Sequence, residues 1–119
     1  MNKLTKKLPD ATGVYIFRGH KRSILYIGKA TSIRERVASY FNQNLIETRG
    51  PIIASMIEAV KTIDYIKTDS VLEALILEAH LIKRYKPPYN TKEKDNKSFN
   101  YVVITKEKFP RVLVMRSRN

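Results

Sequence analysis

The chain has 119 residues, enough to bury one hydrophobic core and too few for two ordinary domains. Lysine and arginine number 23 against 11 acidic residues, a formal charge of +12, and the pI lies near 10.0; this is the footprint of a phosphate-backbone binder, against the blander reading of a lysine-rich surface that aids solubility or touches anionic lipid. The absence of cysteine excludes disulfide frameworks and thiolate metal sites, leaving oxygen or imidazole ligands for any metal; with no apolar run of membrane-spanning length and no signal-type leader, the expected location is cytoplasmic.

The expected class is α+β. Gly13 to Phe17 and Ile24 to Ile27 are β-branched and aromatic runs separated by the polar Arg18-Gly19-His20-Lys21-Arg22, the pattern of an antiparallel hairpin. A helix over Ser32 to Phe41 follows from the Ser32/Glu35 capping-box spacing and the helical recurrence of Ile33, Val37 and Phe41. Asn42 to Gly50 reads as a loop, and Pro51 suits the first position of a second helix through Val60. Thr62 to Lys67 reads as a third strand that can join the hairpin, making a small antiparallel sheet flanked by helices. Ser70 and Glu73 cap the strongest helix, which runs to about Tyr85 and must stop before Pro87-Pro88. Tyr89 to Asn100 then reads as a lysine-rich loop, and Tyr101 to Thr105 with Arg111 to Met115 as a C-terminal hairpin turning at Lys106 to Pro110. The expectation is one domain over residues 1–119, cut from a longer chain because it ends in a basic segment just after a strand.

Glu78 breaks the pattern of its helix. Val71, Leu75, Glu78 and Ile82 should lie one above another, with Ala74 and Leu81 alongside, so a carboxylate interrupts the stripe expected to face the core. Burying an unpaired charge is costly. A salt bridge is the structural explanation; the chemical one is a site for Mg²⁺, which often takes one or two carboxylates together with waters and substrate phosphate. If the hairpin register sets Tyr15 opposite Tyr26, both phenols project from one face and meet at one site, although a strand tyrosine taken alone is more often ordinary packing. Lys29 follows the second strand, and Arg36 and Tyr40 stand one helical turn apart, a face able to grip phosphate or simply to be solvated. Gly28-Lys29 is no phosphate-binding P-loop, since Ser23 and Ala30 occupy the positions of its first glycine and its hydroxyl. His20, in a basic turn, and His80, on nearly the opposite helix face from Glu78, are unconvincing ligands.

The order Gly13-Val14-Tyr15, Tyr26-Ile27-Gly28-Lys29, Arg36 and Tyr40, Leu75-Ile76-Leu77-Glu78, Tyr89-Asn90 resembles the GIY-YIG nuclease family across nearly the whole chain. Leu8-Pro9, Val37-Ala38-Ser39-Tyr40-Phe41, the run from Leu81 to Asn90 and Lys97-Ser98-Phe99 look like the UvrC type of that family, the incising component of bacterial nucleotide excision repair. Val14 replaces the isoleucine of the family name, and Asn96 and Asn100 stand where aspartate and proline are usual; the first change is chemically neutral, and the others concern a basic loop.

The resemblance implies a GIY-YIG fold and roles at matched positions. Glu78 matches the metal-binding carboxylate, for one Mg²⁺ or Mn²⁺, and Arg36 the catalytic arginine. Tyr15 and Tyr26 match the signature tyrosines, Tyr40 an active-site aromatic, Asn90 the asparagine that closes the site, and Gly28 and Lys29 the end of the motif, where glycine permits close approach of chain or phosphate. Water would attack the phosphodiester, with Tyr26 as base and Tyr15 as its partner or the reverse, and a phenol with an ordinary pKa of about 10 would need help from Lys29, Arg36 or the metal. The products would carry 5′-phosphate and 3′-hydroxyl ends, and incision would fall 3′ to a lesion in double-stranded DNA. Lys83, Arg84, Lys86, Lys92, Lys94 and Lys97 could follow phosphates without reading bases, so damage recognition would come from a partner, UvrB by resemblance. The rivals are a catalytically silent nucleic-acid-binding module, which loss of site residues would mark, and a homing or restriction-type relative, which would need its own sequence-reading appendage.

Overall fold

The computed structural model describes residues 7–41 and 49–94. Strands β1 (Gly13–Arg18) and β2 (Ile24–Ala30) form an antiparallel hairpin around a 3-10 turn at His20–Arg22, and β3 (Thr62–Lys67) pairs antiparallel with the other edge of β1, giving the order β2-β1-β3. Helices α1 (Ile33–Ser39) and α2 (Pro51–Ala59) lie between β2 and β3 in the chain, and α3 (Val71–Tyr85) follows β3. The backbone is helical again over 88–94, here α4.

The helix starts lie where local chemistry places them. Ser32 Oγ accepts from the Glu35 N–H at 3.3 Å and Ser70 Oγ from the Glu73 N–H at 3.1 Å, while Glu73 Oε1 accepts from the Asp69 N–H at 2.9 Å; these caps satisfy N–H groups that the first turn leaves without helical partners. Pro51 opens α2, where its fixed φ suits the helix and its missing N–H costs nothing. α3 ends with Lys86 in the left-handed region at φ 47°, its N–H bonded to the Ile82 carbonyl. α1 is shorter than the spacing predicts, because Tyr40 caps it and Phe41 has left the helix.

Strand alternation sorts the core onto the two sides of the sheet. Tyr15 and Phe17 pack with Ile33, Val37, Tyr40, Ile53, Met56 and Ile57 of the α1/α2 layer, and Val14, Ile16 and Ile27 pack with Ala74, Leu77, Leu81 and Ile82 of α3. A bulge after Phe17 makes Arg18 pair with Ile24 rather than Leu25. That extra residue switches the phase of β2, so Leu25 joins the first core and Ile24 the second.

Several expectations change here. Tyr15 pairs with Gly28, not with Tyr26, whose partner is Phe17; the offset is two residues, so the phenols keep one face and meet diagonally. β2 runs on to Ala30, which puts Lys29 inside the strand instead of after it. Val71 and Leu75 are 52% and 45% exposed, so the seated stripe of α3 is Ala74, Leu77, Leu81 and Ile82, and the partly buried Glu78 falls between Ala74 and Ile82 in helical phase. The loop expected from Tyr89 is helical to residue 94: Pro88 can open a helix as readily as Pro87 can end the previous one, and the Thr91 N–H reaches the Pro87 carbonyl at 3.3 Å. The expected hairpin at Tyr101–Thr105 and Arg111–Met115 lies outside the described residues.

Candidate active site

Three phenols converge where α1 meets the hairpin. Tyr15 comes from β1, Tyr26 from β2, and Tyr40 from the residue that caps α1. The Tyr15 and Tyr40 hydroxyls share a buried hydrogen bond of 2.8 Å, and the ring centroids lie 6.4 Å (Tyr15–Tyr26), 5.8 Å (Tyr15–Tyr40) and 6.4 Å (Tyr26–Tyr40) apart. Tyr15 and Tyr40 are each only 2% exposed, whereas Tyr26 is partly exposed. Tyr40 therefore does not share the solvent face of α1 with Arg36; it turns inward, and Arg36 alone faces out.

Gly28 makes this packing possible. A Cβ built there would overlap the Tyr15 hydroxyl and ring carbon, so the phenol lies directly across the glycine. Of the close approaches expected at Gly28, of chain or of phosphate, the one seen is that of chain: Tyr15 lies against it and Gly28 is buried.

Burial sets the proton affinity of these phenols. Tyr15 is raised well above the ordinary phenol value, first by burial and then by Tyr40 and Tyr26, with Arg36 opposing. Tyr26 is raised too, again first by burial, then by Tyr40, Glu78 and Glu93. The charged form is the one that desolvation penalises, so both phenols hold their protons at neutral pH. The effect on stability has a definite sign. Below the unfolded value of about 10 both states are protonated and the contribution is complete; above it the unfolded chain ionises first and stability falls, by up to about 1.4 kcal/mol per pH unit per tyrosine. Urea unfolding between about pH 9 and 11 should show that fall, with Tyr26→Phe and Tyr15→Phe each making it shallower. A slope unchanged in both variants would contradict the assignment.

On the other side of β2, α3 carries Glu78, partly buried and close enough to Tyr26 to raise its pKa. Asn90 of α4 grips the backbone of Ile27 at both groups: its Oδ1 accepts from the Ile27 N–H at 2.9 Å and its Nδ2 donates to the Ile27 carbonyl at 3.0 Å. Ile27 sits between Tyr26 and Gly28 on the edge strand. Asn90 is thus a strut between α4 and β2, with both ends of its amide bonded to the backbone.

Beside this lies an open cleft of about 510 Å³ lined by Lys29, Glu35, Arg36, Arg49 and, from α3, Val71 and Ala74. Glu78 stands one helical turn beyond Ala74 on the same side of α3. Among the described residues no cluster of three or more His, Cys, Asp or Glu side chains exists, so no all-protein metal cage forms. The Glu78 carboxylate fits Mg²⁺ or Mn²⁺, which often takes one or two protein carboxylates together with waters and substrate oxygen.

Of the basic residues expected to follow DNA, Lys83, Arg84 and Lys86 are exposed at the end of α3, and Lys92 and Lys94 on α4; Lys97 lies outside the described residues. Sequence reasoning missed Arg49 and Glu93. No spacing marks Arg49, a lone cation between a polar loop and Pro51, and Glu93 gains its place near Tyr26 only through the unexpected α4.

A UvrC-like GIY-YIG domain matches residues 11–91, a span that contains Tyr15, Tyr26, Tyr40, Arg36, Glu78 and Asn90. The chain belongs to the UvrC-like GIY-YIG family. That makes it a GIY-YIG endonuclease domain. It is 51% identical over 112 residues to UvrABC system protein C of Methanothermobacter thermautotrophicus, covering 94% of this chain and 19% of that protein. The counterpart in Carboxydothermus hydrogenoformans is 46% identical over 93% of this chain and 18% of its own length. The chain therefore spans about a fifth of these relatives. Its fold is similar to the GIY-YIG N-terminal endonuclease domain of UvrC from Thermotoga maritima, solved with its catalytic divalent cation, magnesium: TM-score 0.64, 34% identity, 74% of this chain and 92% of that one. Among the described residues of this GIY-YIG domain, no helix is long and apolar enough to cross a membrane.

Proposed function

We propose that this GIY-YIG domain hydrolyses a DNA phosphodiester with one divalent cation, making the 3′ incision of nucleotide excision repair within a UvrC protein. The observation that carries the reading is that α3 brings Glu78 near Tyr26, in a domain that also holds a cationic cleft with Lys29 and Arg36 and whose Thermotoga maritima relative binds a catalytic divalent cation. Glu78 would hold the ion, which supplies positive charge against the phosphate and the leaving 3′-oxygen. Arg36, exposed on the cleft wall, offsets charge developing on the non-bridging oxygens, and Lys29 pairs with the same backbone.

Tyr26 is the phenol with access to a substrate. Tyr15, buried and bonded to Tyr40, serves as its partner by fixing the ring cluster, and Tyr26 takes the proton of the attacking water. Because burial keeps Tyr26 protonated in the free chain, it acts as a base only when positive charge enters the site. The products carry 5′-phosphate and 3′-hydroxyl ends. The basic side chains on α3 and α4 follow phosphates without reading sequence, so the lesion in double-stranded DNA is selected by a partner, UvrB.

Incision is expected to require Mg²⁺ or Mn²⁺. With the domain in its full-length protein and UvrB loaded at a lesion, chelation should abolish the 3′ cut and added Mn²⁺ restore it, which labelled DNA on a denaturing gel reads directly. A 3′ cut that survives chelation would defeat the reading.

A further inference from the structure

Arg49 has three relations that converge on the cleft. Its guanidinium carbon lies 4.3 Å from the Tyr40 ring centroid, over the face of the ring. One Nη donates to Ser39 Oγ at 2.9 Å, and that hydroxyl donates in turn to the Arg36 carbonyl at 2.6 Å. The side chain also lines the cleft together with Lys29 and Arg36. An arginine side chain normally pays entropy to meet a ligand; here the aromatic face and the serine already hold the planar group. A guanidinium has five N–H donors, and only one of them is engaged in these contacts.

The described cleft lining carries Lys29, Arg36 and Arg49 against the carboxylate of Glu35, and the Arg18–Asp64 and Arg22–Asp64 ion pairs involve none of these three cations. A surplus of cations in a concave site draws an anionic ligand. A stacked, preorganised guanidinium matches the two oxygens of a phosphate better than a lysine can.

We propose that Arg49 binds a backbone phosphate of the DNA next to the one that is cut, as a second guanidinium beside Arg36 held ready by Tyr40 and Ser39. This deepens the nuclease reading and rests on it. It also gives Tyr40 a second use: one end of the phenol bonds Tyr15 in the core, and the ring face seats a cation that meets substrate.

Salt dependence of binding separates this role from a structural one. Each phosphate contact adds about 0.9 to the slope of log affinity against log salt concentration on duplex DNA. The 119-residue chain is titrated onto a fluorescent mixed-sequence duplex in Ca²⁺, over a range of KCl, as wild type, Arg49→Gln and Arg49→Lys, with circular dichroism confirming the fold. Gln keeps a donor for Ser39 and a flat group over Tyr40 while removing the charge. The expected result is a slope smaller by about 0.9 in Arg49→Gln and near wild type in Arg49→Lys. Equal slopes in wild type and Arg49→Gln, with both folded, would overturn the proposal. Chelation-resistant 3′ incision defeats the nuclease reading instead and leaves the slopes as they are, so the two failures are told apart.

Discussion

Glu78→Gln is expected to leave salt-sensitive DNA binding intact and to lower incision by roughly 10³-fold or more, the scale on which loss of a preorganised charge-stabilising group acts. The substitution keeps the volume and shape of a partly buried side chain of α3, so Ala74, Leu77, Leu81 and Ile82 continue to pack on Val14, Ile16 and Ile27. Binding is expected to survive because Lys29, Arg36 and Arg49 remain in the cleft, and phosphate neutralisation is the role proposed for them. What is lost is the negative charge that holds a cation. The measurement is single-turnover 3′ incision by the full-length protein with UvrB loaded at a lesion, and undiminished cutting would remove Glu78 from the chemistry.

Gly28→Ala should cost about 1–3 kcal/mol of stability, the usual range for forcing extra volume into a packed core, and incision should fall with it. The added methyl would occupy the space of the Tyr15 hydroxyl and ring. Tyr15 cannot yield without losing its 2.8 Å bond to Tyr40 and its packing on Phe17, so strain reaches all three phenols. A double variant with Tyr15→Leu makes room for the methyl. Its destabilisation should be less than the sum of the two single changes, since residues in contact are not additive. Additive losses in urea titrations would show that the steric account of Gly28 is wrong.

The parts of the fold legible in the sequence are those governed by local rules. Ser32, Pro51 and Ser70 mark helix starts through side-chain and backbone chemistry that needs no tertiary partner, and β3 emerges from its own residue types. Register was not legible, because the bulge at Leu25 shifts the pairing of β2 and depends on both strands at once. The face of α3 was misread for a related reason: periodicity gives a stripe, but only packing decides which side of it is seated. Glu78 therefore drew notice as an interruption of a row whose Val71 and Leu75 are exposed, and its place near Tyr26 follows from the docking of α3 on the sheet. Tyr40 read as a surface neighbour of Arg36 for the same reason. Site identities came through resemblance at single positions, whereas Arg49 and Glu93 needed the chain folded, since Arg49 is set against Tyr40 from just before α2 and Glu93 is carried by the helix that Pro88 opens.

The central claim is that Glu78 holds one divalent cation at the edge of the tyrosine cluster. Counting Mn²⁺ bound to the isolated domain by electron paramagnetic resonance, for wild type and Glu78→Gln side by side, addresses it without DNA or partner. The account predicts one bound ion per wild-type chain and loss of that ion in the variant; equal occupancy in the two proteins would contradict it.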